Sequence, residues 1–152
     1  MAKVFISYSR KDLSFVKKLV ADLEKTSLDV WYDVSDLGGG TRWRNEIEAA
    51  IKESHFVIVV LSPDSIASEW VEREFLFASK LKRKIIPLLY RQCELPLNYL
   101  DLNYIDVQGE NYDQNFDEIL KAVGDTKAAT PPSSKIRAPL PKKTEYTIAI
   151  IG

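Results

Sequence analysis

The sequence of 152 residues contains one cysteine and one histidine, and neither sign of charge is in surplus. The lone Cys93 excludes a disulfide within this sequence, and with a single His55 there are too few soft ligands for a typical zinc site. Lysine and arginine number 21 against 22 acidic residues. The composition therefore gives no electrostatic reason to expect nucleic acid or an anionic membrane as a partner.

Long hydrophobic runs are also missing. The longest, residues 56–61, is far too short to span a bilayer. The beginning, MAKVFISYS, has neither the apolar stretch nor the cleavage site of a signal peptide. We therefore expect a cytoplasmic protein, and its 45% of hydrophobic residues suffice for a core.

Several common site motifs are absent. The segment LGGGT at 37–41 has neither GxGxxG spacing nor a Walker lysine, so it is neither a dinucleotide fingerprint nor a P-loop. A receiver domain needs an acidic pair after its first strand, where this sequence has Ser7 and Tyr8. Cys93 has no CxxC partner and no activating histidine, so an inert thiol is expected, and His55 is expected to be structural.

Strand and helix patterns alternate along the first 124 residues. This order predicts a parallel sheet of about five strands with helices on both faces. Pro87 removes a ladder donor, so we expect the fourth strand to be short or irregular. Ligand sites in such sheets lie beyond the carboxyl ends of the strands. These ends are Ser7 to Arg10, Asp33 to Trp43, Ser62 to Ser68 and the residues after Tyr90.

The composition changes after Val123. Residues 125–144 are rich in proline and poor in large apolar side chains, which is typical of an extended linker. The segment EYTIAIIG at the end resumes a strand-like pattern. We therefore predict a domain at 1–124, a linker at 125–144, and at 145–152 either the first strand of a truncated second domain or a tail strand that pairs with a neighbour.

Glu74 occupies a helix position where an apolar side chain is expected. At 100° per residue it falls within the apolar arc that includes Trp70 and Ala78, whereas Glu72 falls on the opposite side. A buried carboxylate costs several kcal/mol unless it is paired or faces a cleft. Two interpretations stay open: a catalytic carboxylate, or an ion pair with a cation such as Arg10, Arg42 or Arg73.

Four segments together resemble the TIR (Toll/interleukin-1 receptor) domain, and the resemblance runs from about residue 2 to residue 124. It implies a flavodoxin-like sheet. It also implies one of two functions, because some TIR domains only assemble with partners and others cleave NAD at the nicotinamide–ribose bond. The four segments are FISYSRKD at 5–12, WYDVSDLGGG at 31–40, VIVVLSPDSIASEW at 57–70 and RKIIPLL at 83–89.

The resemblance assigns the catalytic role to Glu74. Enzymatic TIR domains carry a glutamate four residues after a helix tryptophan, and Trp70 with Glu74 matches that pattern, which implies Trp70 as a substrate contact. The strand-end residues Phe5, Tyr8 and Arg10 are implied to line the substrate pocket, with aromatic surface for stacking and a cation for phosphate.

The segment from Asp33 to Trp43 corresponds to the BB loop of the family. The resemblance implies that this loop covers the ligand and takes part in self-association, with Asp33, Leu37 and Trp43 as candidate substrate contacts. Trp43 is equally suited to be the first core residue of the following helix.

The sequence thus favours an NAD hydrolase or cyclase, with NAD as substrate and no cofactor or metal, as the effector domain of a longer defence or signalling protein. A C-terminal sensor or oligomerisation domain is the expected fusion partner. A non-enzymatic TIR scaffold is the alternative. A nucleoside hydrolase or deoxyribosyltransferase-like enzyme, which also uses a glutamate in a flavodoxin-like sheet, is the third hypothesis.

Overall fold

The computed structural model of the protein describes residues 2–32, 41–100 and 102–124. Five parallel strands form one sheet in the order β2-β1-β3-β4-β5. The sheet expected from the sequence is therefore confirmed. The strands are β1 (Lys3–Ser7), β2 (Asp29–Tyr32), β3 (Phe56–Leu61), β4 (Lys84–Leu89) and β5 (Ile105–Asp106).

Helices cover both faces of this sheet. They are α1 (Leu13–Glu24), α2 (Thr41–Glu53), α3 (Pro63–Ile66), α4 (Glu69–Lys80), α5 (Leu97–Leu100) and α6 (Asn111–Gly124), and a 3-10 turn, Arg10–Asp12, precedes α1. Helices α1 and α6 pack on one face, and α2 and α4 on the other. No helix within the described ranges is long and apolar enough to cross a bilayer.

Strand β1 distributes its side chains between the two faces by simple alternation. Val4 and Ile6 are buried on the α1/α6 face, whereas Phe5 is buried on the α2/α4 face. Because the side-chain period of a strand is two, Ser7 lies on the same face as Phe5. The last residue of β1 therefore points towards α2 and α4.

The central strand β3 is buried at all six positions, as expected for a parallel strand with helices on both sides. The expectation of a short or irregular β4 was wrong. Pro87 pairs with Val59 inside a strand of six residues. The Leu89 carbonyl accepts a hydrogen bond from the Val107 N–H, so the backbone polar groups of Leu89 face β5. Pro87 lies two residues earlier in the strand, so its backbone has the same orientation. Pairing with β5 begins only at Leu88, so no ladder bond needs a Pro87 donor.

The last described element, α6, ends at Gly124, beside the expected domain boundary. The linker at 125–144 and the strand at 145–152 lie outside the described residues, so both stay predictions.

Candidate active site

Glu74 lies on α4, whose start is well defined by its sequence. Ser68 is the N-cap residue, and its hydroxyl accepts a hydrogen bond from the Val71 N–H. Glu69 and Glu72 in the first turn complement the helix dipole, and both are exposed. Glu74 is only 8% exposed. The prediction that this carboxylate lies on the buried side of its helix is confirmed.

The hydroxyl of Ser7 is a hydrogen-bond partner of the Glu74 carboxylate. The Ser7 Oγ donates a hydrogen bond of 2.6 Å to Glu74 Oε1. Ser7 is fully buried at the end of β1. A length of 2.6 Å is typical of an O–H donor that bonds to an ionised carboxylate. The helix therefore presents an acidic group to the carboxyl edge of the sheet, where a neutral donor holds it.

A groove of about 220 Å³ runs between α2 and α4 beside this carboxylate. It combines an apolar floor with charged groups of both signs. Its lining residues are Arg44, Ile47, Glu48 and Ile51 of α2 and Trp70, Arg73, Glu74 and Phe77 of α4. Such a combination of apolar surface and a few polar groups is typical of small-molecule sites.

Two of the residues expected at the site lie close to this edge of the sheet. Trp70 is partly buried and lines the groove with Glu74. The Arg73 guanidinium lies 6.0 Å from the centre of the Trp70 ring, so the exposed side of α4 adds a cation to the aromatic surface. Arg10 is exposed in the 3-10 turn that follows β1.

Phe5 and Tyr8 occupy core positions. Phe5 is fully buried and stacks on Trp31, with 5.1 Å between the ring centres. Tyr8 is buried on the opposite face of the sheet, where its ring lies 6.1 Å from that of Tyr32. The structure therefore does not bring these two rings into the groove beside Glu74, and their contacts with substrate stay predictions.

The BB loop falls largely outside the described residues. This holds for Asp33 and Leu37, and also for the side chain of Trp43, whose backbone lies in α2. Of the cations considered as ion-pair partners of Glu74, Arg10 and Arg73 are exposed, and the Arg42 side chain is not described.

A second polar cluster lies at the same edge of the sheet. Asp12 is 1% exposed and accepts hydrogen bonds from the Ser62 hydroxyl and from Arg91. Arg91 also bonds to Asp64, and this hydrogen bond lowers the pKa of the Asp64 carboxyl. Lys11 lies 3.6 Å from the same carboxylate. The cluster joins the segments that follow β1, β3 and β4 and so fixes the edge around the site.

The described residues contain no group of three or more histidine, cysteine or acidic side chains arranged for a metal ion. His55 has a structural contact, because its Nδ1 accepts a hydrogen bond of 3.2 Å from the Lys3 N–H. Burial raises the pKa of the Cys93 thiol, an effect that Arg91 opposes. A raised pKa disfavours the reactive thiolate.

Sequence reasoning overlooked Ser7, although a signal for it exists. The sequence pattern indicated that Phe5 lies in a strand, and ligand sites in parallel sheets lie at the carboxyl ends of the strands. The period of two then puts Ser7 on the face of Phe5, at the end nearest the site. What the sequence did not show was that α4 packs on this face, opposite α1.

The chain is similar to known proteins in both sequence and structure. A family model described as TIR domain matches residues 4–120. The chain is 33% identical over 91 residues to the probable 2' cyclic ADP-D-ribose synthase TcpO of Methanobrevibacter olleyae, a match that covers 57% of this chain and 27% of that protein. It is 32% identical over 93 residues to the NAD(+) hydrolase PdTIR of Paracoccus denitrificans, covering 58% of this chain and 31% of the relative.

Among solved structures, the TIR domain of the Toll-related receptor TRR-2 from Hydra magnipapillata is similar, with a TM-score of 0.68 and 25% identity. That match covers 80% of this chain and 98% of the Hydra chain. The two curated relatives are much longer, and the matched part spans less than a third of each. The family model covers more than half of the sequence, and the chain belongs to the TIR domain family.

Proposed function

We propose that the protein cleaves NAD at the bond between nicotinamide and ribose, and that Glu74 is the catalytic residue. The observation that carries the proposal is the placement of this carboxylate, 8% exposed, in the wall of the groove between α2 and α4. The names of the two curated relatives, an NAD(+) hydrolase and a probable 2' cyclic ADP-D-ribose synthase, support the same reaction.

The reaction makes a specific demand on the protein. The C1′–N bond breaks, its electron pair leaves with nicotinamide as a neutral molecule, and positive charge develops on the ribose. A carboxylate in a site of low dielectric constant offsets that charge more strongly than one in water. In hydrolysis the oxygen of water then bonds to C1′ and one proton is released, which gives nicotinamide and ADP-ribose.

A cyclic isomer forms if a hydroxyl or ring nitrogen of the same molecule attacks C1′ in place of water. The described groove does not distinguish these nucleophiles, because both routes share the step that Glu74 assists. We therefore assign the chain to NAD cleavage as a class.

The remaining lining of the groove suits NAD. Trp70 offers an aromatic surface beside the carboxylate, and Arg44 and Arg73 bring two cations to the same groove for a diphosphate. Its volume of about 220 Å³ is below the roughly 300–1000 Å³ of complete ligand pockets. The groove accordingly holds part of the dinucleotide, and the proposal assigns further contacts to the BB loop, residues 33–43.

The proposal also includes self-association through the BB loop and a role in cytoplasmic defence or signalling. Both rest on the sequence resemblance. If self-association completes the site, specific activity should rise with protein concentration. Constant specific activity across a wide dilution series of a monomer would contradict this part alone.

The test of the main proposal is to incubate the purified protein with NAD and to separate the products by chromatography. We expect nicotinamide with ADP-ribose or a cyclic isomer. The Glu74→Gln variant should lose about a hundredfold or more of the rate. Glu72→Gln, an equal change on the exposed side of α4, should retain it. Nicotinamide release that is equal in wild type and Glu74→Gln would contradict the catalytic role.

No cleavage of NAD by the wild-type protein, at high concentration and with a crowding agent, would refute the proposed activity and leave the scaffold hypothesis. A panel of nucleosides under the same conditions tests the nucleoside hydrolase alternative.

A further inference from the structure

Ser7 is a buried polar residue at the end of β1, on the face that packs against α2 and α4. It is fully buried, and the preceding residue on its face of β1 is the core aromatic Phe5. Its hydroxyl is 2.6 Å from Glu74 Oε1, although the two residues are 67 positions apart. A buried hydroxyl is costly unless it is hydrogen-bonded, so the pair forms a unit.

The two partners are held by rigid elements. Ser7 is fixed by β1, which pairs with β2 and β3, and Glu74 is fixed by the packing of α4 through Val71, Phe75 and Ala78. A glutamate side chain nevertheless has three torsions, and the last of them is soft. Packing of the helix alone therefore lets the carboxylate rotate. A hydrogen-bond donor at one of its oxygens limits this rotation.

We propose that Ser7 is a positioning residue for Glu74: its hydroxyl orients the carboxylate towards the groove and favours its ionised form. The inference rests on the proposed function and deepens it. A hydrogen bond from a neutral donor to the charged form stabilises that form. Loss of the donor should then let the carboxylate take up a proton at higher pH and let its oxygens rotate.

Other charged or titratable groups near Glu74 bear on its titration as well. Among the described residues these include Arg44 and Glu48 of α2, Arg73 of α4, and Tyr99 of α5, which packs against Phe75 at 4.3 Å between ring centres. Burial, followed by the charges of Glu72 and Glu74, raises the pKa of Tyr99. A substitution at Ser7 keeps all of these groups, so a change in pH dependence reports on the hydroxyl.

The first experiment measures nicotinamide release as a function of pH and NAD concentration for wild type and Ser7→Ala. We expect kcat to fall about tenfold or more, with KM within about twofold, and the acid limb of the pH profile to move to higher pH. Ser7→Cys, which has nearly the same size and a weaker donor, should fall between the two.

The matched control is Ser54→Ala. Ser54 is also a buried serine, but its hydroxyl donates a hydrogen bond of 2.7 Å to the Ala50 carbonyl of α2 and not to Glu74. A merely structural loss of a buried hydrogen bond should lower stability in both variants. Only Ser7→Ala should alter the pH profile. An acid limb at the wild-type pH and a kcat within twofold of wild type would overturn the inference.

A second readout does not depend on the reaction. The side-chain carboxyl of Glu74 can be followed by carbon NMR during a pH titration, with its signal assigned by its loss in Glu74→Gln. The carboxyl should titrate at higher pH in Ser7→Ala than in wild type, and equal titration overturns the inference even if wild type cleaves no NAD. If Ser7→Ala does not fold, Ser7→Cys serves for the same comparison, with the same two outcomes.

Discussion

Arg91 and Asp12 lie 79 residues apart in sequence, and a guanidinium nitrogen of the first donates a hydrogen bond of 2.7 Å to the buried carboxylate of the second. Asp12 ends the 3-10 turn after β1, and Arg91 follows β4. Because Arg91 also reaches Asp64 at the second residue of α3, one side chain connects three of the segments that surround the candidate site.

Replacement of Arg91 should destabilise the protein. Arg91→Ala leaves the Asp12 carboxylate buried with the Ser62 hydroxyl as its described donor, and we expect a loss of about 1–3 kcal/mol in the free energy of unfolding. Urea denaturation measures this loss. Lys25→Ala, which removes the ion pair of an exposed lysine with Asp22, is the control and should cost less than about 0.5 kcal/mol. Equal losses would mean that the Arg91 cluster is no more than a surface pair.

Substitution of Glu74 should separate catalysis from stability. Glu74→Gln keeps the volume and an oxygen that accepts from Ser7, but it removes a charge from the buried side of α4. We expect the free energy of unfolding to stay equal to wild type or to rise by up to about 1 kcal/mol. Thermal or urea denaturation beside Glu72→Gln checks this. A drop of about 3–5 kcal/mol would instead indicate a buried ion pair, such as one with Arg42.

Much of the fold could be predicted because long elements carry their own pattern. FVIVVL is apolar at every position, as a strand covered on both faces should be, and Leu13, Val16, Leu19 and Val20 have the spacing of one helix face. The helices α3 and α5 were not predicted, since four residues are too few to show a helical period. Strand β4 is regular in spite of Pro87 because β5 pairs with it only from Leu88 onwards. This pairing belongs to the tertiary structure and cannot be seen in the local sequence.

The site was predictable only in part, for a similar reason. The position of Glu74 on its helix followed from angular spacing, which is a local property. Tyr8, just after β1, is buried on the face opposite Glu74. The family resemblance does not show on which face of the sheet a residue lies. The contact between Ser7 and Glu74 depends on the packing of α4 against the α2 side of the sheet, which no local pattern encodes.

Stability should fall as the pH drops through and below about 6.5, in a way that depends on His55. Burial, and then the positive charges of the chain's amino terminus, Arg83 and Lys3, lower the pKa of His55 in the folded protein. The unfolded chain, with an ordinary value of about 6.5, therefore binds the proton first, and the contribution to stability is present above that pH and is lost as the pH falls. His55→Gln should flatten the dependence of the unfolding free energy on pH in this window. An unchanged slope would show that other groups cause it.

Substitution of Trp70 tests whether the groove beside Glu74 binds the substrate. It lines the groove one helical turn before the carboxylate, so a nicotinamide or ribose held at Glu74 would lie against its ring. Loss of such an aromatic contact costs about 1–3 kcal/mol, so Trp70→Ala should raise KM for NAD about tenfold or more, with a smaller change in kcat. Trp70→Phe should recover most of the affinity because it keeps an aromatic face.

Leu76→Ala, at a position of α4 that is 48% exposed, is the control and should leave both constants unchanged. Initial rates of nicotinamide release over a range of NAD concentrations give these values, with thermal melts to show that each variant is folded. If a folded Trp70→Ala protein keeps the wild-type KM, the substrate does not contact this wall of the groove, and the site would have to lie on another side of Glu74.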